Sequence, residues 1–199
     1  MFKLLGANLP LSSVDLDLPL QQAQQRIRTW AADEDWFTDL ISKVFGVTDS
    51  PPARSLRASL LNGGFSIGLE ILSTEQLQGI KGAYSSAAAD GGKRIFVNAE
   101  WLRSACSEAI EAVLLEELGH AIDVHLNGAV DTRGDEGAIF SALMREASIP
   151  LAEQSQDDHY SLLIDGNQIA IEAAAPEAKS SPSLLRAPSE DTTYIFGDS

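Results

Sequence analysis

An α+β fold is what this sequence predicts, and three observations predict it. Apolar residues recur at helical spacing up to about residue 60. Strand-like runs follow between about residues 65 and 97. Two short apolar runs centred on a turn close the pattern between residues 160 and 172. The expected architecture is N-terminal helices, a small and mostly antiparallel sheet, a central helix and a C-terminal hairpin. The division that follows is 1–60 as a helical region, 61–172 as an α+β domain, and 173–199 as a linker or tail.

The first helix is expected from about Leu18 to Ala32, where Leu20, Ala23, Ile27 and Trp30 share a face and Pro19 sits in the tolerant first turn. A second is expected from Asp35 to Phe45, with Trp36, Phe37, Leu40, Ile41, Val44 and Phe45 inward and Gly46 as its stop. Ser55–Leu61 reads as another helical turn or two after the break at Pro51-Pro52. Phe65–Leu72 alternates like a strand, Ile80–Ser85 reads as another, and Lys93–Val97 as a third. Asn98 can cap a short helix through Leu102. Ser107 is the expected N-cap of the main helix, which should end at Asn127-Gly128. A polar loop, DTRGDEG, then leads to a further helix over Ala138–Arg145. Asp165-Gly166-Asn167 between Tyr160–Ile164 and Gln168–Glu172 is a hairpin signal. From Ala173 to Asp191 the Ala, Pro, Ser and charged residues read as a linker without fixed structure, and Thr192–Asp198 as the start of a strand.

The formal net charge is −15 over 199 residues. Phosphate recognition needs clustered Lys and Arg, so nucleic acid is excluded as a partner, and an anionic membrane surface is disfavoured. An acidic surface suits a protein working among cations such as calcium. The single cysteine, Cys106, leaves no intramolecular disulfide and no cysteine zinc cluster, and reads as a small buried residue. No apolar run has the length of a membrane span, and the first 20 residues lack the apolar core and cleavage site of a Sec signal. The expected location is cytoplasmic, or outside the cell by a route that needs no N-terminal signal.

The chemistry concentrates in Leu114–Asp123, LLEELGHAID, which carries Glu-Glu-x-x-His within one helix. At about 100° per residue, Glu116 and His120 stand one turn apart and can reach one cation. Glu117 lies on the edge of that face, where a carboxylate can take a proton from water activated by a metal. A third ligand must come from elsewhere. Glu136 ranks first, because it opens the next helix; Asp135, Asp123 and His125 are the other candidates, and His125 should point away. One divalent metal is expected, zinc first on the likeness of the helix pattern to a zinc site, while the carboxylate-rich set also suits manganese, calcium or iron. The competing reading is an amphipathic helix whose Glu111, Glu116, Glu117 and Asp123 form a solvated face, with His120 half-buried. His159 reads as an exposed turn residue, and Trp30, Trp36 and Trp101 as core anchors.

The stretch EAIEAVLLEELGHAID resembles the active-site helix of gluzincin-like metallopeptidases, with KRIFV as the strand before it and GDEGAIFSAL as the downstream helix that supplies a glutamate. The resemblance implies a zincin-like fold, His120 and Glu136 as metal ligands, Glu117 as general base, and Glu116 in the first ligand position, where a histidine is usual. Over about Arg94 to Glu172, the order FVNAEWL, EAIEAVLLEELGHAID, DTRGDEGAIFSAL and DDHYSLLIDGNQIAIE is similar to the N-terminal module of secreted bacterial RTX-type calcium-binding repeat proteins. That likeness implies type I-like secretion and calcium-binding repeats following in a longer chain. The functional expectation is a metal-dependent peptidase module acting on a peptide or protein substrate. The alternatives are a non-catalytic module of an extracellular calcium-binding or adhesive protein, and a secretion or maturation segment.

Overall fold

The structure is a computed structural model that describes residues 2–7, 16–128, 134–149 and 159–173. In chain order the elements are β1 (Phe2–Ala7), α1 (Asp17–Ala32), α2 (Glu34–Phe45), α3 (Pro51–Asn62), β2 (Ile67–Leu72), β3 (Gly82–Ser85), β4 (Arg94–Asn98), α4 (Ala99–Leu102), α5 (Ser107–Asn127), α6 (Glu136–Met144), β5 (His159–Ile164) and β6 (Asn167–Glu172). They form an α+β fold around one mixed sheet in the order β1-β2-β4-β3-β6-β5. The β1–β2 and β2–β4 pairs are parallel; β3–β4, β3–β6 and β5–β6 are antiparallel.

Local chemistry sets most boundaries. The Asp33 side chain accepts from Trp36 N to start α2, and Gly46 ends it in the left-handed conformation that glycine adopts without strain. Ser50 caps α3, with proline at its first positions. Asn98 accepts from the backbone of Glu100 and Trp101, while its amide donates to Ile80 O at 3.0 Å, so one buried side chain ties α4 to the approach of β3. The hairpin turn carries positive φ at both Asp165 and Gly166, the backbone twist that two-residue hairpins require.

Two expectations are corrected at helix α5. Its N-cap is Cys106, which is exposed and not buried. Ser107 is the first helical residue, and its hydroxyl sits 2.9 Å from Gln22 Oε1 on α1, spent on a tertiary contact instead of a cap. The N-terminal segment also differs from the sequence reading: β1 is a strand paired in parallel with β2. Its residues show no apolar alternation, and Leu4 and Leu5 are exposed, so only the partner strand defines it. Helices α1–α3 are therefore the crossover between two parallel neighbours. Residues of the 174–199 tail, including Thr192–Asp198, lie outside the described residues.

Each face of the sheet has its own core. Ile67, Leu69 and Ile71 of β2, Ile95 and Val97 of β4, and Tyr84 of β3 pack with the apolar faces of α1, α2, α3, α5 and α6. Trp30 anchors this side, with Phe37 and Phe140 rings 4.7 and 5.3 Å away; Trp36 and Trp101 are only partly buried against it. On the opposite face Phe96 and Ala83 pack with Leu77, Ile80 and the hairpin residues Leu162, Ile164, Ile169 and Ile171. The helical region before residue 60 and the sheet thus share one core.

Helix α5 is buried nearly all round. Glu111, expected on a solvated face, is buried and held 2.6 Å from the Arg26 guanidinium of α1. Arg26→Ala would leave that carboxylate in the interface without its charged donor. The expected cost is on the order of 1–3 kcal/mol, discounted for the half-exposed arginine, and read from the denaturant midpoint. A midpoint equal to wild type would show that water replaces the arginine fully.

Candidate metal centre

The site lies where α5 crosses the N-terminus of α6 and the end of β6. His120, on the inner side of α5, is fully buried. Glu136 is the first residue of α6, a position where the helix dipole favours negative charge. Glu172 is the last residue of β6 and the outermost of the three, with its side chain 17% exposed. His120 Nδ1 stands 2.9 Å from Glu136 Oε1 and 3.5 Å from Glu172 Oε2. One donor atom from each residue lies within 4.8 Å of the others, which makes a group able to hold a metal ion.

These separations bear on the fit. Ligand atoms about 2.0–2.2 Å from a tetrahedral zinc are spaced about 3.3 Å apart. The two spacings from His120 Nδ1 bracket that edge, and all three donor atoms lie within 4.8 Å of one another. Without a cation the 2.9 Å contact is a hydrogen bond between Nδ1 and the carboxylate. An ion would take the place of that proton, as metal binding to imidazole generally requires. Glu136 Oε2 is buried with no hydrogen-bond partner among the described residues, as is Asp135 Oδ2. Buried carboxylate oxygens left in this way are what a bound cation would satisfy.

The crossing of α5 and α6 is set by two glycines. A Cβ on Gly119 would stand 2.7 Å from Gly137 Cα. A Cβ on Gly137 would stand 2.5 Å from His120 Nε2 and 2.7 Å from Glu116 O. Close approach of the two backbones is therefore what brings Glu136 to His120. A third glycine, Gly82 of β3, leaves room for Glu117, whose Oε1 would lie 2.8 Å from an added Cβ there. Glu117 is buried between α5 and the sheet.

The sequence candidates distribute as follows. His120 and Glu136 come together. Glu117 is buried on the same helix, three residues before His120 and about 60° from it. Glu116 is half-buried and is not one of the three residues of the group. Asp135 caps α6 by accepting from Ala138 N at 2.7 Å and sits 3.8 Å from His120 Nε2. Asp123 is buried one turn beyond His120 and accepts from Asn127 Nδ2 at 2.8 Å. His125 packs edge-on against Phe65, away from the group; burial and then the charge of Lys93 hold its pKa below the usual histidine value. The solvated-face reading of α5 is thus corrected, since Glu111, Glu117, His120 and Asp123 are all buried.

Glu172 is the member that sequence reasoning missed. In QIAIE it stands out of phase with inward-facing Ile169 and Ile171, so alternation assigns it to solvent. Both faces of this strand's end are covered, because β6 meets β3 at the register pair Tyr84↔Glu172 beneath α5. His159 pairs with Glu172 across the hairpin and opens β5 as a strand residue. Tyr84 is buried with its hydroxyl unpartnered among the described residues, and burial followed by the Glu172 carboxylate pushes its pKa well above the usual phenol value.

The chain matches no protein-family model, no curated protein and no solved structure.

Proposed function

We propose that the chain is a metal-dependent hydrolase module of the peptidase type, holding one divalent cation through His120, Glu136 and Glu172, with Glu117 as general base. The observation that carries this reading is the convergence of a buried imidazole and two carboxylates from three separate elements, with buried Glu117 on the helix that bears the imidazole. The imidazole suits zinc and the two carboxylates suit manganese or calcium as well; the likeness to a zinc-peptidase helix puts zinc first. A bound divalent cation supplies Lewis acidity, which makes water a competent nucleophile at neutral pH. Glu117 takes the proton from the water that adds to the peptide carbonyl, and returns it to the nitrogen as the C–N bond breaks. The burial of these groups excludes bulk water and strengthens their electrostatic influence. The likeness of EAIEAVLLEELGHAID and GDEGAIFSAL to metallopeptidase helices supports His120 and Glu136 as ligands and Glu117 as general base; it puts Glu116 and not Glu172 in the remaining ligand position, which here rests on the geometry alone.

A second reading has its own support. His120 and Glu136 are almost completely buried, as ligands of closed structural sites are. In that reading the cation holds α5, α6 and β6 together in a non-catalytic module of a calcium-binding or adhesive protein. Under either reading the acidic composition and single cysteine suit an extracellular, cation-rich setting reached by type I-like secretion. No described helix is long and apolar enough to cross a membrane.

The test is metal content by mass spectrometry on protein purified without chelators or a His-tag. About one zinc or manganese per chain is expected, lost in His120→Ala. Peptide hydrolysis by the metal-loaded chain then supports the catalytic reading. Stoichiometric metal with a raised melting temperature and no hydrolysis supports the structural one. No stoichiometric metal after addition of zinc, manganese and calcium overturns both.

A further inference from the structure

We propose that Tyr84 is a positioning residue of the metal centre, its buried hydroxyl serving as the hydrogen-bond donor that fixes the Glu172 carboxylate when a cation is bound. The inference rests on the metal-site reading above and adds to it a residue that has no motif in the sequence.

Tyr84 and Glu172 are the one register pair between β3 and β6 among the described residues. Directly opposed residues on antiparallel strands project from the same face with Cβ atoms about 5 Å apart. Their side chains therefore lie next to each other on the helix-covered face, where the Tyr84 ring is packed among the core residues of α5 and β2. The ring is 1% exposed, and its hydroxyl has no hydrogen-bond partner among the described residues. Buried hydroxyls are nearly always partnered, so a lone one beside a ligand group calls for a reason. Nothing in the ring's packing needs the oxygen, since a phenylalanine would fill the same volume.

The three ligands also differ in how firmly they are held. His120 is locked in the α5–α6 crossing, with Gly137 directly over its ring. Glu136 is fixed by the first turn of α6 next to its cap, Asp135. Glu172 is the most exposed member and stands at a strand end, where a carboxylate can offer either oxygen. A donor on one oxygen would commit the other to the cation. Partners of this kind behind a metal ligand typically alter affinity by about 10- to 100-fold.

The experiment compares the full wild-type chain with Tyr84→Phe, Glu172→Gln and the double variant. Zinc affinity is measured by competition with a chromophoric chelator, and melting temperature is measured with and without zinc. Tyr84→Phe should melt at or above the wild-type temperature when metal-free, since it deletes only a partnerless hydroxyl, yet bind zinc about 10- to 100-fold more weakly. In the Glu172→Gln background the same change should have little further effect, which is the signature of action through Glu172. Unchanged zinc affinity in Tyr84→Phe overturns the proposal, as does an equal loss in both backgrounds. Failure of the wild-type chain to take up zinc, manganese or calcium is a separate result: it removes the metal site itself, and Tyr84's role with it.

Discussion

Glu117→Gln is expected to abolish peptide hydrolysis while leaving the bound metal in place. Glutamine keeps the size and shape of the side chain but cannot take a proton from water. Positioned general bases contribute about 10²- to 10⁴-fold to rate, so the residual activity should fall by that range. Two features make this substitution informative. Glu117 is not one of the three residues whose donor atoms converge, so metal content should remain at the wild-type level. It is also buried against Gly82, where an isosteric amide fits and a larger side chain would not. Steady-state hydrolysis and metal content measured on the same preparation decide the matter. Hydrolysis retained at the wild-type rate would remove Glu117 from the mechanism. Loss of both activity and metal would instead make Glu117 part of the cation's support.

Gly137→Ala should damage stability and the site together. The added methyl would stand 2.5 Å from His120 Nε2 and 2.7 Å from the Glu116 carbonyl. Neither neighbour yields easily: the carbonyl belongs to the middle of the 21-residue helix α5, and the imidazole is enclosed. Overpacking of a core typically costs about 1–3 kcal/mol. For a chain of this size each kcal/mol lowers the melting temperature by about 2–4 °C. Relief by separation of the helices would carry Glu136 away from His120, so metal affinity should fall as well. Alanine's better helix propensity, about 1 kcal/mol over glycine, offsets only part of this. Wild-type melting and wild-type metal content in the variant would show that α5 and α6 do not need the close crossing.

Much of the site was readable because its first half lies within one helix. Glu117 and His120 fall at helical spacing, and the polar loop after α5 points to Glu136 as the opening of the next helix. Period alone could not show how deeply they are buried. The alternation of charge and leucine in LLEELGHAID reads as amphipathic, yet α1, α6 and β3 cover it on several sides, and Glu111 and Asp123 are buried with it. Cys106 shows the same limit on a smaller scale, since its residue type favours burial and its place at the start of α5 exposes it.

The sequence by itself determined the elements whose chemistry is local. Caps at Asp33, Ser50 and Asn98, stops at Gly46 and Gly128, and the Asp165-Gly166 turn fix helices and hairpin through bonds and dihedrals that span a few residues. It also determined the α+β class, because the apolar period changes from helical to strand-like along the chain. Only the tertiary structure decided that Phe2–Ala7 is a strand, since an edge strand is defined by the hydrogen bonds of its neighbour. Only the tertiary structure placed Glu172 beside His120, 52 residues away in sequence, with Tyr84 across from it. Those contacts depend on sheet order and helix crossing, which arise from the packing of whole faces and leave no periodic trace in the residues that meet there.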